Sequence, residues 1–155
     1  MSLTKTLSLR AFGLMKIPLL FIVSPSVVKL TERECEAKIP LNFITKNHLG
    51  SMYFGVLAMG ADLACGLMGM EAIRRSSKKV ALIFKDFKAE FFKRAESDVH
   101  FFCDEGKKIQ KQVKEAIDTG ERVNRVYHVL ATTPKASGRE PVARFEMTLS
   151  LRAKK

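Results

Sequence analysis

Nineteen consecutive residues, Met52–Met70, carry a single charge, that of Asp62. A run of that length and polarity is long enough to cross a bilayer. Four glycines (Gly55, Gly60, Gly66, Gly69) and three alanines (Ala58, Ala61, Ala64) stud it. Each glycine weakens a helix by about 1 kcal/mol relative to alanine, so this many implies a packing purpose. The central carboxylate, the glycines and the strand-like segments on both sides favour a buried helix of a soluble domain over a membrane span. That helix is expected from about Met52 to Arg74, with Ser51 as its N-cap. A helix apolar on all sides needs cover on all sides, and the economical cover is a sheet curled around it.

The remaining chain supplies such a sheet. Residues 27–31 and 34–41 look extended, and residues 79–93, rich in Phe and β-branched side chains, read as one long strand. Another strand is expected over Asp98–Asp104. Between Gly106 and Gly120 the period changes: Ile109, Val113, Ala116 and Ile117 share one helical face, and Gly120 is a stop signal. Extended structure resumes over Arg122–Thr132, and residues 134–141 form a turn. In the last strand Ala143, Phe145, Met147, Leu149 and Leu151 alternate with Arg144, Glu146, Thr148, Ser150 and Arg152. That pattern predicts one buried face and one wet face, as in an antiparallel sheet. The fold class is therefore α+β.

One helix is expected over roughly residues 3–22, within an N-terminal extension spanning 1–25. Lys5 precedes an apolar stretch, Leu7–Val23, and Arg10 falls near its start, in the manner of a signal peptide. Lys16 and Pro18 interrupt it, however, and Ser24-Pro25-Ser26-Val27 offers no small-x-small cleavage site. The 155 residues suit one domain, 1–155.

The formal net charge is +11, which attracts polyanions such as nucleic acid, anionic lipid or a phosphate-bearing cofactor like coenzyme A. The bases recur in short clusters along the chain and form no nucleic-acid motif interleaved with aromatics, so no nucleic-acid partner is expected. Three cysteines, Cys35, Cys65 and Cys103, are widely spaced and odd in number. They indicate neither a metal site nor a disulfide framework and fit a cytoplasmic setting. His100 and His128 fall in strands without a visible partner.

The segment Asn47-His48-Leu49-Gly50-Ser51-Met52-Tyr53-Phe54-Gly55 through Asp62 resembles the active-site stretch of hotdog-fold thioesterases of the phenylacetyl-CoA thioesterase type. That pattern is Asn-x-x-Gly-x-x-His-Gly-Gly, with a catalytic Asp or Glu downstream. Asn47, Gly50, Gly55 and Asp62 are in register; Tyr53 stands in place of the His and Phe54 in place of the first Gly. Residues 85–104 and 142–151 are similar to bacterial hotdog proteins that carry this Tyr. The resemblance implies a hotdog fold, an antiparallel sheet wrapped around the long helix. It also implies a homodimer, with tetramers as a further possibility, and hydrolysis of an acyl-CoA or acyl-carrier thioester without any cofactor or metal. By the same resemblance the Gly55 N–H would polarise the thioester carbonyl, Asp62 would be base or nucleophile, and Asn47 would hold the attacking water or the ester.

The residues support these roles on physical grounds. A carboxylate inside an apolar helix is costly unless paired or functional, and desolvation raises its pKa toward a useful range for a base. Gly55 falls in the first helical turn, where free N–H groups and the positive end of the dipole meet. Seven residues separate Gly55 from Asp62, so they share one face about 10.5 Å apart. Both can reach one carbonyl only from two copies of the helix. Tyr53, Phe54, His48 and Met59 are candidates for the substrate pocket, and Arg74, Arg75, Lys93 and Arg94 for the phosphates of coenzyme A. A non-catalytic acyl-binding module on the same fold is the alternative, motivated by the Tyr53-Phe54 departure.

Overall fold

The computed structural model describes residues 2–154. Its N-terminal segment forms two helices where one was expected, α1 (Leu3–Lys16) and α2 (Pro18–Ile22). The break falls at Ile17, whose φ of −140° and ψ of 78° are not helical. Pro18 causes it: proline has no N–H to donate and crowds the residue before it out of the helical region.

Strands β1 (Ser26–Leu30) and β2 (Cys35–Ile39) follow, then helix α3 (Phe54–Ser76) and strands β3 (Val80–Phe91) and β4 (Val99–Cys103). Helix α4 (Gly106–Thr119), β5 (Val123–Thr132) and β6 (Pro141–Ala153) complete the order. The six strands form one antiparallel sheet in the order β1-β2-β4-β5-β6-β3. The two edges are β1 and β3.

Helix α3 lies on one face of this sheet, and its glycines show why it can lie so close. A Cβ on Gly60 would sit 2.1 Å from the ring of Phe101, and one on Gly69 would sit 2.6 Å from Leu82. Either side chain would hold the helix away from the strands. The core between them contains Phe101, Tyr127, Phe145, Met147, Leu149 and Leu151, all essentially inaccessible. Ser51 is not the cap of α3. Its hydroxyl and N–H are engaged with Asn47, and the helix starts at Phe54 after an extended Tyr53 with no side-chain cap. Helix α3 is the one helix among the described residues long and apolar enough to span a membrane, yet it packs against β2, β4, β5 and α4 as a core element. It is not covered on all sides as expected: Phe54 and Met70 are exposed, and one face looks into a cavity.

Helix α4 places its apolar side, Ile109, Val113 and Ala116, in the same core, and Gly120 ends it with φ of +71°. Gln112 is buried on this side. Its Nε2 donates to the carbonyl oxygens of Val123 (2.9 Å) and Leu149 (2.8 Å), and its Oε1 accepts from the Tyr127 hydroxyl (2.8 Å). Along β6 the alternation holds, with one difference: Thr148 and Ser150, on the outer face, are also inaccessible. They are short side chains on an inner strand, shaded by longer neighbours on β3 and β5, and Arg122 hydrogen-bonds the Ser150 hydroxyl at 2.9 Å.

Candidate active site

The loop leading into α3 is organised by Asn47. Its Oδ1 accepts from the N–H groups of Leu49 (2.9 Å) and Ser51 (3.3 Å), and its Nδ2 donates to Ser51 Oγ at 3.1 Å. Such an Asx turn fixes the direction from which the chain enters the helix. Tyr53 N–H donates to Thr45 O at 2.9 Å, and Tyr53 O in turn accepts from Val56 and Leu57. The N–H of Gly55 has no acceptor among the described residues and lies in the first turn, where the helix dipole is positive. The Tyr53 ring covers the Cα of Gly55: a Cβ there would meet the ring at 2.6 Å. Tyr53 and Phe54 are both exposed, with ring centroids 4.8 Å apart. His48 is exposed on the loop, and Met59 packs into the side of the core under α1.

Asp62 lies two turns further along, away from this aromatic pair. It has no hydrogen bond or ion pair among the described residues, and burial alone pushes its carboxyl above the ordinary carboxylate range. It faces a cavity of about 890 Å³ bounded by α1, α2, β1, β3 and α3. The residues that α3 turns toward this space are Asp62, Leu63, Gly66, Leu67, Met70, Glu71 and Arg74, a single stripe at helical spacing. Within one chain, therefore, Gly55, Tyr53, Phe54 and His48 gather at the mouth of α3, while Asp62 stands in the cavity.

The four cations expected to meet phosphates all sit in ion pairs. Arg74 contacts Glu71 at 2.7 Å, Arg75 contacts Glu71 at 3.0 Å and also Glu32, Lys93 pairs with Glu140, and Arg94 with Glu96 at 3.2 Å. Hydrogen bonds from Arg74, then from Arg75, hold the Glu71 carboxyl down at about 2 against the effect of burial. Exposed pairs of this kind contribute about 0–1 kcal/mol, so exchange for a phosphate partner costs little.

Sequence reasoning missed the contribution of the N-terminal helices. Leu9, Phe12, Ile17 and Leu20 wall the cavity opposite α3. The signal available was the repeat of apolar residues through the first 22 positions, which says that a helix packs but not on what. The three cysteines, distant in sequence, converge in one core cluster: Cys35 stands opposite Cys103 across β2 and β4, and Cys65 comes to them from α3. All are free and buried, and burial pushes the Cys35 thiol up to about 12. They act as core packing. Two histidines do have partners: His100 Nδ1 lies 2.6 Å from Glu36, and His128 lies 3.5 Å from both Glu105 and Glu146. Among the described residues no cluster of side chains is suited to a metal ion.

Three comparisons place this architecture among known proteins. Residues 5–151 match the family model DUF4442, described as a domain of unknown function. The search of curated proteins finds no match. Among solved structures, a Pseudomonas aeruginosa protein of unknown function, described as a probable thioesterase, is 22% identical, with 96% of each chain covered and a TM-score of 0.77. A Chlorobaculum tepidum protein of unknown function superposes with a TM-score of 0.83 at 10% identity, covering 97% of this chain and 95% of that one. A thioesterase from Haemophilus influenzae is 14% identical over 92% of this chain and 88% of its own, with a TM-score of 0.67. The fold shared with these structures is the hotdog fold.

Proposed function

The chain belongs to the DUF4442 family, and from that premise we propose that it hydrolyses an acyl thioester, carried on coenzyme A or on an acyl-carrier protein, at a site shared by two copies. The observation that carries this reading is Asp62, an unpartnered carboxylate in the wall of an apolar cavity, on the same helix face as the free N–H of Gly55. The structures of this fold described as a thioesterase and as a probable thioesterase support this reaction class.

In this reading Asp62 takes a proton from a water molecule as the water oxygen attacks the thioester carbonyl carbon. Negative charge gathers on the carbonyl oxygen, and the Gly55 N–H of the second copy donates to it, aided by the dipole of α3. The C–S bond then breaks. The sulfur leaves as a thiol after taking the proton back from Asp62, and the acyl group leaves as a carboxylic acid. A raised pKa suits Asp62 to this exchange, because a base works best near the operating pH. Tyr53 stands at the mouth with a phenol able to donate to the thioester, and Asn47 acts as a positioning residue through the loop it braces. Arg75, Lys93 and Arg94 exchange their carboxylate partners for coenzyme A phosphates, while Arg74 keeps Glu71 at the far end of the cavity.

The pairing surface is the free edge of β3. Phe87 and Phe91 project to the inner face of the sheet and pack on Phe145 at 5.6 and 6.1 Å between ring centroids, yet 44% and 50% of their surfaces stay exposed. A second copy aligned on this twelve-residue edge covers them and satisfies its unpaired backbone groups. We place the protein in the cytoplasm.

The Tyr53 ring over Gly55 favours one other reading, an acyl-binding module without turnover, in which this aromatic pair closes the mouth. Thiol release from a panel of acyl-CoAs decides between them. Hydrolysis by the wild type that falls about 10²–10⁴-fold in Asp62→Asn is the result expected for a general base. No turnover of any thioester, together with thermal protection by acyl ligands, leaves the binding module instead.

A further inference from the structure

The glycines of α3 do not all serve one purpose. At Gly60 and Gly69 a Cβ would collide with the sheet, at 2.1 and 2.6 Å. At Gly66 it would meet nothing nearer than Asp62 Oδ1 at 3.7 Å and the Phe84 ring at 3.9 Å, both ordinary contacts. Gly66 therefore weakens the helix without bringing it closer to the sheet. What the missing side chain leaves open is part of the cavity.

That cavity is lined by Leu9, Phe12 and Leu20 on one side and Leu63, Leu67 and Met70 on the other, with Asp62 at one end of the α3 stripe and the Arg74–Glu71 pair at the other. From residue 62 to residue 74 the helix rises about 18 Å. The wall opposite is anchored at several points. Lys5 donates to Leu30 O at 2.5 Å, Arg10 to Pro25 O at 3.1 Å, and Val27 N–H to Thr6 Oγ1 at 3.0 Å. A volume of about 890 Å³ lies within the range of ligand pockets, roughly 300–1,000 Å³, and far exceeds what a packed interior leaves empty.

We infer that this cavity binds the hydrocarbon tail of a linear acyl chain, with α1 and α2 as the wall that sets its length. The inference rests on the hydrolytic reading in one respect: Asp62 marks the end at which the thioester lies. A zigzag chain of C–C bonds of about 1.5 Å advances slightly less than that per carbon, so the stripe accommodates about 12–16 carbons. Between its two ends the cavity is lined mainly by hydrocarbon, which suits methylenes; the polar residues on it besides Asp62 are Thr4, Lys5 and Ser8 of α1, with Lys5 bound to the Leu30 carbonyl, and the Glu71–Arg74 pair at the far end. Each methylene buried should raise affinity about fourfold.

The test uses the full chain. Hydrolysis of acyl-CoAs from acetyl to octadecanoyl, with phenylacetyl-CoA included, is measured beside the calorimetric affinity for free tetradecanoate. Gly66→Leu fills the cavity from α3 with a better helix former, and Phe12→Trp fills it from α1, so a folding failure in one leaves the other informative. The wild type is expected to prefer chains of about 12–16 carbons; either variant should move the optimum to shorter chains and weaken tetradecanoate binding at least tenfold. Hydrolysis that favours acetyl or phenylacetyl groups, or a chain-length profile that neither variant moves, overturns the tail site while leaving the hydrolase intact. Tetradecanoate binding that both variants weaken, without turnover of any thioester, supports the tail site and overturns the hydrolase. Absence of both turnover and binding overturns both.

Discussion

Oδ1 of Asp62 lies 3.7 Å from the point where a side chain on Gly66, one turn further along α3, would begin. The carboxylate thus borders an opening that its own helix has left unfilled. With no partner to offset its desolvation, Asp62 titrates above an ordinary aspartate. Neutral in both folded and unfolded chains below the unfolded value of about 3.9, it costs nothing there. As pH rises through the raised folded value, the folded state bears the charged form and stability is lost. Urea denaturation of wild type and Asp62→Asn across pH 3.5–8 is expected to show the difference moving in favour of Asn as pH rises. A difference independent of pH would mean that Asp62 has a partner.

Gly60 and Gly66 should respond oppositely to the same methyl group. Gly60→Ala drives a Cβ into the buried ring of Phe101 and is expected to cost about 1–3 kcal/mol. Gly66→Ala adds helix propensity where its Cβ makes only ordinary contacts and is expected to stabilise by up to about 1 kcal/mol. Thermal and chemical denaturation measure both, and equal losses would mean that Gly66 also touches the sheet.

Gln112 joins α4 to the sheet through three hydrogen bonds, two of them fully buried and the one to Val123 partly so. Gln112→Leu keeps most of its volume but strands the Tyr127 hydroxyl and two carbonyls. Each stranded group costs about 1–3 kcal/mol, less where the carbonyl keeps its strand partner, so a loss of about 3–5 kcal/mol is expected. Tyr127→Phe should cost less, and in the Gln112→Leu background it should recover part of the loss. Strict additivity in that double-mutant cycle would show that the two side chains do not act together.

The half-exposed inner face of β3 predicts association. Light scattering should give the mass of two or four chains for the wild type. Phe87→Lys, which puts a charge where a second copy would cover the strand, should weaken association at least tenfold and reduce thioester hydrolysis in parallel. A monomeric wild type that is fully active would refute the shared site.

The order of elements was legible in the sequence because it depends on local periodicity. The alternation of β6, the face of α4 ending at Gly120 and the apolar run of α3 each announce an element whatever surrounds it. Asp62 was legible for a similar reason: a single charge in such a run stands out by its desolvation cost alone. Ends and covers were less legible. Ser51 looks like a cap, but Asn47 across the loop claims its hydroxyl, and Pro18, visible as an interruption of the apolar stretch, divides the single expected helix in two.

What only the tertiary structure decided is which surfaces meet. The convergence of Cys35, Cys65 and Cys103, the pairing of Arg75 with Glu32 and the apposition of Phe12 to the α3 stripe link residues 30 or more positions apart. Their spacing holds no trace of those contacts, because packing depends on shape across elements and not on period within one. Likewise, sequence counts four glycines in α3 and gives each the same conformational freedom. The neighbours brought by the fold make two of them points of contact with the sheet and one of them an opening beside Asp62.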